Sequence, residues 1–433
     1  MSFGQLSQVF SCFAWKQLTA VEVDPNASNG HEFNSSPTLR EILGDTPRKG
    51  NEDNGIPTRF IFLSDDDEEL LEDEGNMSWY DSRANHVTRT EWRLYYSDNA
   101  VIGREGRVRA GDTIIIAFKE ALKSATVFAA PAGSTSENQL RWLFGITSER
   151  ESSFGTAVVN DNQGVDMTRV RILEAAGVEI AVKDDTLLIR MLELFGENFP
   201  TTAKFGTFIR EEISSVKADE KSDEVIMSWM ESEEFAFRVL ERHIVGKRLE
   251  EKFEDVDDFV RYSLSVHNRR KSRAGLAFEN HLSEVFRANG LAFQRGVTLE
   301  AKAKPDFLFP GKVEYSDESF PVELLTLLGA KTSCKDRWRQ VLAEGSRMKE
   351  KHLVTLQPSI SSDQLLQMRC HNLQLVVPEA IHVSYPPDER AALWNLQSFI
   401  SSVRGKQVVA RIPPDYTDRA KKKKSRNRVQ ESP

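Results

Sequence analysis

Between Lys304 and Glu344 two apolar runs are each joined to a charged residue, which limits how this part of the chain can be buried. Pro305 and Asp306 precede Phe307, Leu308 and Phe309, so the carboxylate stands where a loop enters a strand. The run Val322 to Ala330 reads as a buried strand or strand pair and delivers Lys331 at its end. The block after Lys331 carries charges at helical spacing. This order predicts an α/β unit, helices packed on a central sheet, that presents an acid and a lysine from neighbouring strands.

At 433 residues, 39% of them hydrophobic, the chain exceeds one ordinary core and two domains are expected. No stretch approaches the roughly 18 apolar residues of a spanning helix. The first residues include Phe10, Phe13 and Trp15 but no charged leader joined to a long apolar core, so secretion is not expected. Cys12, Cys334 and Cys370 are odd in number and far apart, which argues against disulfides and thiolate zinc. A cytoplasmic, bacterial location is expected.

The net charge of −9 is unevenly spread: eight of the ten residues from Asp65 to Glu74 are acidic, and seven from Arg419 to Arg428 are basic. Fields are screened over roughly 8 to 10 Å, so a basic cleft for phosphates can coexist with an acidic surface. The acidic run reads as a solvated loop and the basic tail as disordered.

Residues 1–165 carry short apolar runs at Arg59 to Leu63, Trp92 to Tyr96, Thr113 to Phe118 and Thr126 to Ala130, predicting a mainly-β domain. Residues 166–182 read as a hinge, 183–410 as the α/β domain and 411–433 as a basic tail. In the second domain Leu187, Leu188, Met191, Leu192 and Leu194 form an apolar helical face. A further helix is expected from near Ser272, turning Leu276, Phe278, Leu282, Val285 and Phe286 to a core, with strands around Pro305, Val322, Leu353 and Leu375.

An acid and a lysine held together suit phosphodiester hydrolysis, in which a carboxylate-bound divalent ion neutralises developing charge and a lysine orients the water. Oxygen ligands without a Cys or His cluster favour Mg2+ over zinc. Asp306 is the expected metal ligand and Lys331 the catalytic lysine. Tyr315, in an expected hydrophilic hairpin from Glu314 to Ser319, suits amphipathic edge packing. Lys335, Asp336, Arg337, Arg339 and Gln340 would ordinarily form a solvated helix face, with Trp338 in the core. Arg269, Arg270, Lys271 and Arg273 precede an expected helix start capped by Ser272, a place that attracts phosphate.

Four ordered blocks then narrow the reading: Asn268 to Gly275, Lys304 to Pro310, Lys331 to Leu342, and His352 to Gln357 with Leu375 to Pro378. Together they resemble the EcoRII restriction endonuclease family within the PD-(D/E)XK group. In the first domain only the segments around Tyr80 to Arg83 and Thr88 to Glu91 are similar to the family. The resemblance implies a restriction-endonuclease-like (PD-(D/E)XK) catalytic domain and an N-terminal mainly-β pseudobarrel that binds DNA. The usual second carboxylate lies two residues before the lysine, where this chain has Gly329. The resemblance moves it to Glu344, with Glu323 as competitor, and implies that Glu279 supports the metal.

By the same resemblance Tyr315 is an active-site residue, Lys335, Asp336, Arg337, Arg339 and Gln340 read bases, and Arg270, Lys271 and Arg273 hold phosphate. Arg83, Arg89, Glu91 and Arg93 mark a second, effector DNA site, although Trp92 replaces an expected lysine. The implied activity is Mg2+-dependent, type IIE-like cleavage of double-stranded DNA at a site resembling CCWGG by a homodimer, stimulated by an effector copy of the site. The implied genetic partner is a cytosine-5 DNA methyltransferase. A noncatalytic DNA-binding protein on the same scaffold and a structure-specific repair nuclease are the alternatives.

Overall fold

The computed structural model describes residues 3–23, 31–48, 55–65, 70–86, 88–103, 106–119, 122–148, 152–159, 165–180, 182–218, 220–300, 303–334 and 338–413. Contacts divide the chain between residues 181 and 182 into two units, with the short stretch Ser359–Ser361 assigned to the first.

The first unit contains β1 (Cys12–Gln17), α1 (Ala20–Val23), β2 (Glu32–Asn34), α2 (Pro37–Leu43), β3 (Ile56–Phe62), β4 (Leu71–Asp81) and β5 (Trp92–Tyr96). It continues with β6 (Thr113–Lys119), β7 (Ser124–Ala130), α3 (Thr135–Phe144), β8 (Gly155–Val158) and α4 (Met167–Ala175). Among the described residues the strands form one eight-stranded sheet in the order β2-β5-β4-β3-β7-β6-β1-β8. Only the β3–β7 pair is parallel. Trp79 and Trp92 stack at 5.0 Å in its core beside fully buried Phe60, Ile114 and Val127. Ser36 and Thr38, after edge strand β2, donate to the Phe154 carbonyl at 3.3 and 2.8 Å, just before edge strand β8. The start of α2 thus ties the end of β2 to the residue before β8 and links the two edge strands of the sheet.

Two expectations are corrected here. Glu72, Asp73 and Glu74 of the acidic run lie in β4, where the alternation of the strand keeps Glu72 and Glu74 exposed; residues 66–69 lie outside the described residues. The expected hinge at 166–182 holds α4, capped by the Asp166 side chain, with Val170 and Leu173 fully buried. Arg169 of this helix lies 4.4 Å from the Trp142 ring of α3, so the segment is packed into the first unit.

The second unit begins with α5 (Asp185–Phe195), α6 (Thr202–Phe208), α7 (Ser222–Glu250) and α8 (Val256–Ala288). It continues through β9 (Gln294–Arg295), β10 (Phe307–Phe309), α9 (Lys312–Ser316), β11 (Thr326–Lys331), α10 (Trp338–Leu342), β12 (Lys351–Thr355), α11 (Ser362–Cys370), β13 (Leu373–Val376) and α12 (Leu396–Val409). The sheet order is β13-β12-β11-β10-β9. β10 runs antiparallel to β9 and β11, whereas β12 is parallel to β11 and β13. Phe286 of α8 meets Phe307 and Phe309 at 5.2 and 5.3 Å, and Phe399 of α12 meets Phe309 at 5.7 Å. This edge-on aromatic packing anchors the strand that opens at Asp306.

Three local expectations differ. The apolar run from Val322 is a strand only from Thr326, because Val322–Leu324 form a 3-10 turn with Glu323 exposed. The hairpin expected around Tyr315 is α9. The helix expected from Ser272 begins at Val256, capped by the Asp255 side chain; Leu276 is exposed, while Phe278, Leu282, Val285 and Phe286 are fully buried.

Candidate active site

Asp306 sits at the mouth of β10 and Lys331 at the end of β11, and the antiparallel pairing of these strands brings them together. Asp306 Oδ2 accepts from the Ala330 amide at 2.7 Å and from Lys331 Nζ at 2.8 Å. Both side chains keep about a sixth of their surface exposed, 17% and 16%, so the pair lies at the rim of the core and is open to a ligand.

Glu344 supplies the second carboxylate. It lies in the turn after α10 rather than on that helix, two residues beyond Leu342. Burial first, and then the Asp306 charge, push its carboxyl above the usual range, while Lys331 and Lys351 oppose the shift. Its Oε2 is buried and has no hydrogen-bond partner among the described residues. A buried carboxylate oxygen left unpaired beside a second carboxylate is costly unless a cation joins it.

The residues present therefore fit a divalent ion: Asp306 and Glu344 would hold it. Mg2+ characteristically takes one or two carboxylates plus phosphate oxygens and water. Among the described residues no three Asp, Glu, His or Cys side chains converge as a metal cluster. Glu279, expected as a further metal support, accepts through Oε2 from Arg295 at 2.7 Å.

Gly329, in the usual position of the second carboxylate, has no room for a side chain. A Cβ there would stand 2.6 Å from Val341 Cγ2 of α10. The helix thus fills the space over the strand, and the acid reaches the site from the turn beyond it.

Tyr315 is buried, and its hydroxyl donates to Glu300 Oε1 at 2.6 Å. Burial, then this bond, push the Tyr315 hydroxyl up. Desolvation would raise Glu300, yet the bonds from Tyr315 and the Ser346 amide bring it down to about 2. Glu300 and Lys351 were missed from the sequence. Lys351 is buried at the start of β12, and burial lowers its pKa against the pull of Glu344 and Glu300. Neither belongs to a residue pattern with a chemical signature, and only the fold brings them beside Glu344.

The basic cluster is corrected. Residues 269–273 lie in mid-α8, so Ser272 caps nothing and no free helix amides are offered there. Arg273 is buried, pairs with Glu233 at 3.3 Å and with Glu234, and lies over the Phe237 ring of α7. Arg270 pairs with Glu241 at 2.8 Å. Arg273 thus joins helices from within the core, whereas Arg270, although paired, and Lys271 are both exposed. Of the expected base readers, Arg339 and Gln340 are exposed on α10; Lys335, Asp336 and Arg337 lie outside the described residues. Trp338 is buried, as expected.

In the first unit Glu91 bridges Arg83, at 2.5 Å, and Arg93 on the β4–β5 hairpin, while Arg89 is exposed. Trp92, in place of the expected lysine, belongs to the core through its stack on Trp79.

Residues 237–400 match the family model described as "EcoRII C terminal". Over 199 residues the chain is 41% identical to the type II restriction enzyme EcoRII of Escherichia coli, covering 46% of this chain and 49% of the relative. The chain thus matches about half the length of that relative. Two solved structures also align: metal-depleted Ecl18kI in complex with uncleaved, modified DNA, at 19% identity, 51% and 83% coverage of this and that chain, and TM-score 0.41; and the PspGI–substrate DNA complex, at 12% identity, 51% and 92% coverage, and TM-score 0.37. The mixed sheet with flanking helices is the restriction-endonuclease-like fold expected for the second unit, beside a mainly-β first unit.

Proposed function

We propose that this chain, whose residues 237–400 match the family model described as "EcoRII C terminal", is a type II site-specific restriction endonuclease that hydrolyses double-stranded DNA with Mg2+. The observation that carries the reading is the meeting of Asp306, Lys331 and Glu344, whose Oε2 has no hydrogen bond among the described residues, at one end of the sheet. Asp306 and Glu344 are the metal-holding acids. A bound Mg2+ would supply neutralisation of charge on the scissile phosphate. Lys331, held by Asp306, donates toward the attacked phosphate and the incoming water.

Arg339, Gln340 and residues 335–337 are proposed to read bases, because Arg donates to guanine and Asp accepts from cytosine. Lys271 and the exposed Arg270 are the candidates for phosphate contact in the basic cluster. The proposal includes a homodimer acting on a site resembling CCWGG and a cytosine-5 DNA methyltransferase that protects the host. Arg83, Arg89, Glu91 and Arg93 of the first unit are assigned to an effector copy of the site.

Incubation with genomic DNA in Mg2+, and sequencing of the fragment ends, tests this reading. Discrete ends sharing one short motif are expected, none in EDTA, and a loss of at least about 10³-fold in rate for Asp306→Ala and Lys331→Ala. Undiminished cleavage by either variant refutes the site assignment.

A further inference from the structure

Among the described residues no hydrogen bond steers Glu344 at Oε2, and the backbone turn beneath it sets its aim. That turn is fastened on each side. Before it, Lys351 Nζ donates to the Leu342 carbonyl. After it, the Ser346 amide donates to Glu300 Oε1 at 2.6 Å, the same oxygen that takes the Tyr315 hydroxyl at 2.6 Å. Arg347 lies over the Tyr315 ring at 5.5 Å and donates to the carbonyls of Tyr315, Asp317 and Phe320, the last two at 3.1 and 3.2 Å. Gly345 allows the bend: its φ is +61°, and a Cβ there would stand 2.7 Å from Leu327.

We infer that Glu300 and Tyr315 are positioning residues for Glu344, pinning its turn so that the carboxylate faces Asp306. This rests on the nuclease reading of the site. Tyr315 therefore acts through Glu300 rather than on the DNA: its hydroxyl is engaged and its ring buried. Glu300 contributes as a doubly used acceptor, a part that a glutamine Oε1 can also fill, whereas alanine leaves both donors unpaired.

The test uses the full chain and two readouts: Mn2+ affinity by electron paramagnetic resonance, and hydrogen exchange of residues 343–350. Glu300→Ala and Tyr315→Phe are each expected to weaken Mn2+ by about fivefold and to speed exchange in that segment, with Glu300→Gln staying within about twofold of the parent on both. Unchanged affinity and exchange in Tyr315→Phe, which removes one oxygen and leaves the ring in place, overturn the inference even if Glu300→Ala fails to fold. Equal loss in Glu300→Gln and Glu300→Ala overturns it too, since charge rather than position would then matter. If the parent binds no Mn2+ and cuts no DNA while exchange still responds to the variants, the nuclease reading falls and the mechanical coupling of the turn stands.

Discussion

Val341 Cγ2 lies 2.6 Å from where a Cβ on Gly329 would stand, so one helix side chain decides that the strand before Lys331 carries no acid. Gly329→Ala is expected to lower stability by about 1–3 kcal/mol through overpacking. Adding Val341→Ala in the same chain should recover part of that loss, because the clash has a single named source. Additive losses in thermal melts of the double variant would refute the steric account.

Glu344 carries a stability cost that its role explains. Burial and Asp306 raise its carboxyl above the ordinary 4.5, so between the unfolded and folded values the folded chain binds the extra proton. The associated stability is present below about pH 4.5 and is lost as pH rises through the folded value. In EDTA at neutral pH, Glu344→Gln should therefore melt higher than the parent, and the gap should close as pH falls below that window. A parent more stable than the variant at pH 7 in EDTA would contradict this.

Arg273 and Lys271, two residues apart, should behave oppositely. Arg273→Ala removes a buried guanidinium from Glu233 and Glu234, which keep His281 and Arg238 as partners, and is expected to cost about 2–3 kcal/mol of stability. Lys271→Ala, on the exposed face, should leave the melting point alone and lower the salt slope of DNA binding by about one. Denaturation curves and binding at several salt concentrations separate the two.

The β4–β5 hairpin can be tested through Arg83. Its bridge to Glu91 is exposed and contributes little to folding. Arg83→Ala is expected to keep the melting point and the basal cleavage rate but to lose stimulation by added site-bearing duplex. A fragment starting near Lys183 should cut one-site DNA faster than the whole chain; equal rates would leave the first unit as a simple DNA anchor.

Asp306, Lys331 and the strands that bear them were legible in the sequence, since a charged residue at the edge of an apolar run has few places to go. The mainly-β first unit was equally legible from short runs such as Trp92 to Tyr96 and Thr113 to Phe118. What the sequence could not determine was which charges face each other. Arg273 looks like part of a phosphate clamp until α7 supplies Glu233 and Glu234, and Tyr315 reads as amphipathic edge packing until Glu300 meets it from fifteen residues upstream. Periodicity encodes what each element buries, because burial repeats with the backbone. The pairing of side chains across elements follows no such period, so tertiary packing alone decided that Glu344 would stand near Asp306 with its Oε2, among the described residues, without a hydrogen bond.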